Sequence, residues 1–260
     1  MTTDLVGRAR DLLARHHNGT LLVLPNVWDA WSARAVVDAG FPALAIGSHP
    51  LADSLGRPDG EGMSLTEALD GIARICAAVD VPVTADMESG YDTPADELIE
   101  RVLAAGAVGI NIEDTVHSED RMREPAEHAD YIAALRVAAD ASGVDVVINA
   151  RTDALLVGHK RFDDPVAEAI TRLTLCAQAG ARCLYPVALQ LDAATIAALV
   201  TEIPGPINVI ANPRTGTPAG GPKELAALGV ARVTFGPLLQ RELTPTIGAL
   251  VADWSPASGA

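Results

Sequence analysis

A (β/α)8 TIM barrel of the α/β class, with one extra N-terminal helix, is the fold this 260-residue chain predicts. Three observations lead there. Eight short apolar runs recur without polar alternation, the pattern of strands buried on both faces. Each is followed by an alanine-rich stretch of helical periodicity, and strand–helix units in series build a parallel sheet. Eight units at this length suit the roughly 250 residues typical of a closed barrel. A doubly wound sheet is the competitor, but the first strand runs into PNVWDAW instead of a glycine-rich phosphate loop.

The elements follow in order. An amphipathic stretch over residues 3–17 is expected to cap the bottom of the barrel. LLVLP (21–25) is the first strand, and DAWSARAVVDAG (29–40) follows as a helix with an Asp29 cap and a Gly40 stop. ALAIG (43–47) precedes SLTEALDGIARICAAV (64–79), and VPVTAD (81–86) precedes PADELIERVLAAG (94–106). VGINIE (108–113) leads to PAEHADYIAALRVAADASG (125–143), and DVVINA (145–150) to DPVAEAITRLTLCAQAG (164–180), both opening on an early proline and closing on glycine. ARCLYP (181–186), INVIAN (207–212) and ARVTFG (231–236) complete the strands. Their helices are DAATIAALVTEI, GPKELAALG and LQRELTPTIGALVADW, the last interrupted by Pro245. No linker or low-complexity run divides the chain, so residues 1–260 form one domain, with 255–260 expected as a disordered tail.

Composition narrows the function. A net charge of -15 and only two lysines, Lys160 and Lys223, argue against a nucleic-acid partner. No segment has the length of a membrane span or a signal peptide, so no membrane partner and a cytoplasmic location are expected. Cys76, Cys176 and Cys183 lack any metal or redox spacing and read as core residues. His16, His17, His128 and His159 read as surface residues.

Chemistry in such a barrel belongs to the C-terminal strand ends. There stand Asp86 and Glu88 in VPVTADMESGY, and Glu113 in GAVGINIEDT. Clustered carboxylates repel one another unless a cation or substrate lies between them. Spaced two apart, Asp86 and Glu88 would share the inner face of a strand, and with Glu113 they offer oxygen ligands to Mg2+, with Mn2+ as a possible substitute. Asp92, Asp114 and Asp153 read instead as helix caps or arginine partners. Arg151, after VVINA, has the fork that suits a substrate carboxylate or phosphonate, or an ion pair with Glu113 or Asp86. His117 in the loop after the fourth strand is a candidate general acid, and His49 a candidate substrate contact. Neither lysine lies at an inward strand end, which sets aside a Schiff-base aldolase.

Five ordered segments carry a family resemblance: PNVWDAWSA, SLGRPDGEGMS, DMESGY, NIEDTV and NARTDA. Together they resemble the isocitrate lyase and phosphoenolpyruvate mutase superfamily over about residues 20–240. The resemblance implies a Mg2+-dependent barrel enzyme that binds a 2-oxo or 2-hydroxy acid and stabilises an enolate while a C–C or C–P bond breaks or forms. It matches Asp86 to the direct metal ligand and Glu88 and Glu113 to carboxylates that hold metal-bound waters. Asp59 matches an acid near substrate and metal, Gly47 and Ser48 the substrate-receiving loop, Arg151 the substrate-carboxylate arginine, and Asn212 a polar position after the seventh strand. It also implies a homo-oligomer, dimer or tetramer, in which Leu250 and Trp254 near the end are natural partner contacts.

Departures from the pattern select among activities. The cysteine loop of the isocitrate and methylisocitrate lyases is replaced by DTVHSEDRMREPAEH, which argues against both. The mutase gating loop with lysine and asparagine is missing, and YPVAL stands where the lyases carry glutamate. The expected function is a Mg2+-dependent lyase cleaving or decarboxylating a small 2-oxo dicarboxylate such as oxaloacetate. The alternatives are C–P chemistry on phosphonopyruvate, with Arg121, Arg123 or Arg214 adding positive charge, and a non-catalytic metabolite binder.

Overall fold

The computed structural model describes residues 4–255, so Met1–Thr3 and, apart from Ser255, the expected tail at 255–260 lie outside the described residues. Helix α1 (Leu5–His17) begins on the Asp4 carboxylate, which accepts the Gly7 N–H at 2.8 Å. The first strand is broken. β1 (Leu22–Leu24) pairs with β11 (Arg232–Thr234), while β2 (Asn26–Val27) pairs with β3 (Leu44–Ile46), because Pro25 has no N–H to continue the ladder. Its carbonyl still accepts the Ala45 N–H at 3.1 Å.

From β3 the sheet runs in parallel through β4 (Val83–Asp86), β5 (Gly109–Ile112), β8 (Val147–Thr152) and β9 (Cys183–Pro186). A parallel bridge from Leu184 to Ile207 joins β9 to β10 (Asn208–Ile210), and β10 pairs with β11, which closes the barrel. The eight expected strands are thus all present. Between them lie α2 (Ala30–Asp38), α4 (Leu65–Cys76), α5 (Ala95–Ala104), α6 (Pro125–Ser142), α8 (Pro165–Gln178), α9 (Ala193–Glu202) and α10 (Pro222–Ala227). Asp29 with Ser32 and Ser64 with Glu67 form capping boxes at α2 and α4.

Helix α1 plugs the bottom of the barrel. Gly109 opens β5 there, and a Cβ on it would stand 3.0 Å from a Leu12 methyl and 2.8 Å from Thr84 Oγ1, so the plug fits only over glycine. Leu12 is fully buried.

Three short elements escape the sequence pattern: α3 (Ser48–Ser54), α7 (Ala154–Val157) and the antiparallel hairpin of β6 (Thr115–Val116) with β7 (Arg121–Met122). All lie at or beyond strand ends, where local turn chemistry and not hydrophobic period sets the path. The last helix, α11 (Leu238–Val251), corrects another expectation, since it continues through Pro245. The carbonyl freed by the proline lies on an exposed helix where water can satisfy it. None of α11 is buried, and Ile247, Leu250, Val251 and Trp254 are exposed.

His16 and His128 are not surface residues: both are buried, and burial holds each ring down to about 3. The unfolded chain takes up these protons near pH 6.5 while the folded one does not, so the stabilisation is complete above pH 6.5 and is lost as pH falls toward 3. Replacing His128 by leucine is expected to flatten this limb. Urea midpoints at pH 7 and pH 5 should show the wild type losing about 2 kcal/mol more than the variant. Equal losses would place the acid sensitivity elsewhere.

Candidate active site

β4 ends at Asp86, and the chain turns at once: Glu88, Tyr91 and Asp92 take φ values of 49°, 54° and 49°. Glu88 therefore does not sit on a strand beside Asp86, as the spacing of two suggests. It reaches the same region through the turn, where its buried carboxylate accepts the Glu61 N–H and the Tyr91 hydroxyl, the latter at 2.9 Å. Among the described residues Asp86 accepts two long bonds, 3.3 Å from Ser48 Oγ and 3.3 Å from the Glu88 N–H.

Arg151 lies on β8 directly before two residues tied to Asp114. Thr152 Oγ1 donates to Asp114 at 2.6 Å and the Asp153 N–H donates to it at 2.9 Å, and Arg172 reaches the same buried carboxylate at 3.2 Å. Asp114 is thus an arginine partner that locks the ends of β5 and β8 together. The Arg151 guanidinium meets Glu113 Oε2 at 2.5 Å and Asp153 Oδ1 at 2.7 Å. His117 Nε2 stands 2.6 Å from Glu113 Oε1 and 3.7 Å from Glu88 Oε2.

The electrostatics follow from burying several acids together. Burial, then repulsion from Asp86 and Asp59, pushes Glu88 up to about 7. Burial raises Asp86, with Arg151 opposing and Asp59 reinforcing. Burial pushes Glu113 up to about 8 against the pull of Arg151 and His117, while its hydrogen bond holds His117 up to about 9. With a guanidinium and an imidazole both at bonding distance, we place the negative charge on Glu113 and the shared proton on His117.

One cavity of about 180 Å3 opens at this end of the barrel. Of the residues singled out in the sequence, Gly47, Ser48, His49, Asp59, Asp86 and Arg151 line it. A Cβ on Gly47 would come within 2.9 Å of the Pro50 ring and 3.2 Å of Asn26 Nδ2, so glycine is required for the backbone to pass here. His49 Nδ1 faces Asp59 Oδ2 at 3.0 Å.

Among the described residues no group of three His, Cys, Asp or Glu side chains is close enough together to hold a metal ion directly. The reason is that Glu113 is taken by Arg151 and His117, and Glu88 by Glu61 and Tyr91. His117 does not line the cavity but backs Glu113. Asn212 also lies outside it, its amide given to Glu242 at 2.9 Å and its oxygen to the Arg214 and Thr215 N–H groups. Arg121, Arg123 and Arg214 supply no charge to the cavity: Arg121 pairs with Glu119 and Glu127, Arg123 donates to the Ser89 and Glu113 carbonyls, and Arg214 pairs with Glu242.

Asn111, Tyr185, Thr234 and Arg241 line the cavity without having been singled out. An asparagine inside the apolar run GINIE was a readable signal for Asn111, since a buried amide needs partners; it accepts from Asn149 Nδ2 at 2.8 Å and Arg232 Nη2 at 3.2 Å. Arg241, on α11, carried no signal in the sequence.

The family model described as phosphoenolpyruvate phosphomutase matches residues 12–254. The chain belongs to the phosphoenolpyruvate phosphomutase family. A solved Burkholderia cenocepacia protein, described as a candidate phosphonomutase, superposes with a TM-score of 0.85 at 39% identity, covering 94% of this chain and 99% of that one. An uncharacterised Mycobacterium tuberculosis protein is 33% identical over 221 residues, 85% of this chain and 80% of its own length. The phosphoenolpyruvate phosphomutase of Streptomyces hygroscopicus is 31% identical over 240 residues, 88% of this chain and 74% of its own length. Membership places the chain among lyases and mutases of the isocitrate lyase and phosphoenolpyruvate mutase superfamily. The family segments DMESGY and NARTDA are those that bring Asp86 and Arg151 to the cavity.

Proposed function

We propose that this enzyme is a divalent-cation-dependent lyase, using Mg2+ or Mn2+, that cleaves or decarboxylates a small 2-oxo dicarboxylate such as oxaloacetate through an enolate. The observation that carries the reading is that Asp86 and Arg151 face one cavity, with Ser48 beside Asp86. The donor set fits a hard cation: Asp86 is a half-buried carboxylate with only 3.3 Å contacts, and the buried carboxylates of Glu88 and Glu113 stand behind it. When bound there, the cation would act as a Lewis acid toward the 2-oxo group.

The chain's own residues do the rest. Arg151 meets Glu113 through Nη1 and Asp153 through Nε, which leaves Nη2 as the nitrogen that would take the substrate carboxylate beside the oxo group. Ser48 and the backbone around Gly47 orient the acid so that the breaking bond stands perpendicular to the developing enolate. His117 acts at one remove, holding Glu113 in place. Decarboxylation needs no protein nucleophile, in keeping with a loop after β5 that offers no cysteine.

We also place the enzyme in the cytoplasm as a homo-oligomer. The exposed apolar residues of α11 and the following Trp254 support the second point, and the first is in keeping with the described helices, none of which is long and apolar enough to cross a membrane.

Incubation with oxaloacetate, with and without Mg2+, tests the reading. Expected is cation-dependent release of pyruvate or oxalate. Turnover of phosphonopyruvate instead would move the assignment to C–P chemistry, and thermal stabilisation by oxalate without any product would make the protein a binder.

A further inference from the structure

The cavity holds two arginines in different states. Arg151 is neutralised by Glu113 and Asp153. Arg241, the other arginine lining it, forms no ion pair with a carboxylate among the described residues. Its side-chain contact is Nη2 to His49 Nε2 at 3.3 Å. A guanidinium only donates, so this contact assigns Nε2 as the acceptor and puts the ring proton on Nδ1, which donates to Asp59 Oδ2 at 3.0 Å. Asp53 also lies 3.5 Å from Nε2, too long to compete for the proton. The chain Arg241, His49, Asp59 therefore steadies the guanidinium while leaving most of its N–H groups free.

Around the rest of the cavity stand Val187, Leu189, Ile210 and Leu238, which offer no donor to an anion. We propose that Arg241 is the receptor for the substrate's distal carboxylate and sets the preference for dicarboxylic over monocarboxylic acids. The inference rests on the proposed 2-oxo dicarboxylate reading of the same cavity, for which malate and lactate serve as stable 2-hydroxy analogues. Its geometry is that of a fork at the rim, with Arg151 and Asp86 receiving the other end of the acid.

Malate and lactate differ at the group in question, since lactate lacks the distal carboxylate and both are stable 2-hydroxy acids. Calorimetric titration of the Mg2+-loaded protein with each is expected to show malate bound about 10- to 100-fold more tightly by the wild type. In Arg241→Gln that ratio should fall to about 3 or less, with lactate affinity unchanged, and Arg241→Lys should restore part of it. Arg241 is exposed on α11, so both variants are expected to melt with the wild type. A wild-type ratio near one, an unchanged ratio in Arg241→Gln, or an equal loss for both acids would overturn the role of Arg241 and leave the cavity reading standing. Failure of the wild type to bind either acid would overturn that reading, and the role of Arg241 with it.

Discussion

Asp86→Ala is expected to lower kcat on oxaloacetate by about 1000-fold or more, to the cation-independent background, because it removes the one carboxylate that both faces the cavity and lacks a short partner. The same substitution should not destabilise the fold. Asp86 is held above its ordinary range chiefly by burial, and Asp59 adds to the effect, so its charge opposes folding when no cation is bound. Turnover against Mg2+ concentration, with a melting curve in chelator, measures both effects. Cation-dependent turnover surviving in a folded Asp86→Ala protein would remove Asp86 from the metal site.

Arg151→Gln is expected to reduce both activity and stability. The guanidinium holds two buried carboxylates, Glu113 and Asp153, whose side chains are 3% and 9% exposed. Deleting one partner of a buried ion pair leaves uncompensated charge and costs about 3 to 5 kcal/mol. kcat/KM should fall by about 100- to 10000-fold as the substrate carboxylate loses its fork. Arg151→Lys keeps the charge but cannot meet Glu113, Asp153 and a substrate together, so it should regain more stability than activity. Denaturant midpoints beside steady-state kinetics separate the two. An Arg151→Gln enzyme with normal kcat/KM would show that substrate is held elsewhere.

These two residues show what was legible from sequence. Asp86 and Arg151 each end an apolar run, and in a parallel barrel that position alone sends a polar side chain toward the open end. Glu88 was found by a period-two argument that does not apply, since the strand stops at Asp86 and a left-handed residue turns the chain. Its carboxylate is instead held behind Asp86 by Glu61, from the loop before α4, which donates to it across 27 residues of sequence.

The sequence by itself determined the barrel, the eight strands, the existence of the N-terminal plug helix, expected at 3–17 and found at Leu5–His17, and the strand ends that carry polar groups. Hydrophobic period, caps and glycine stops are local, and local information suffices for them. Only the tertiary structure decided which acids are available. Glu113 is consumed by Arg151 and His117, Asp114 by Arg172 and Thr152, and Asn212 by its own turn and Glu242. It also brought Arg241 to the cavity from the helix after the last strand, 192 residues from His49. The physical reason is that a charged side chain's role depends on which partner reaches it first, and those partners come from elements far apart in the chain that only barrel closure sets side by side.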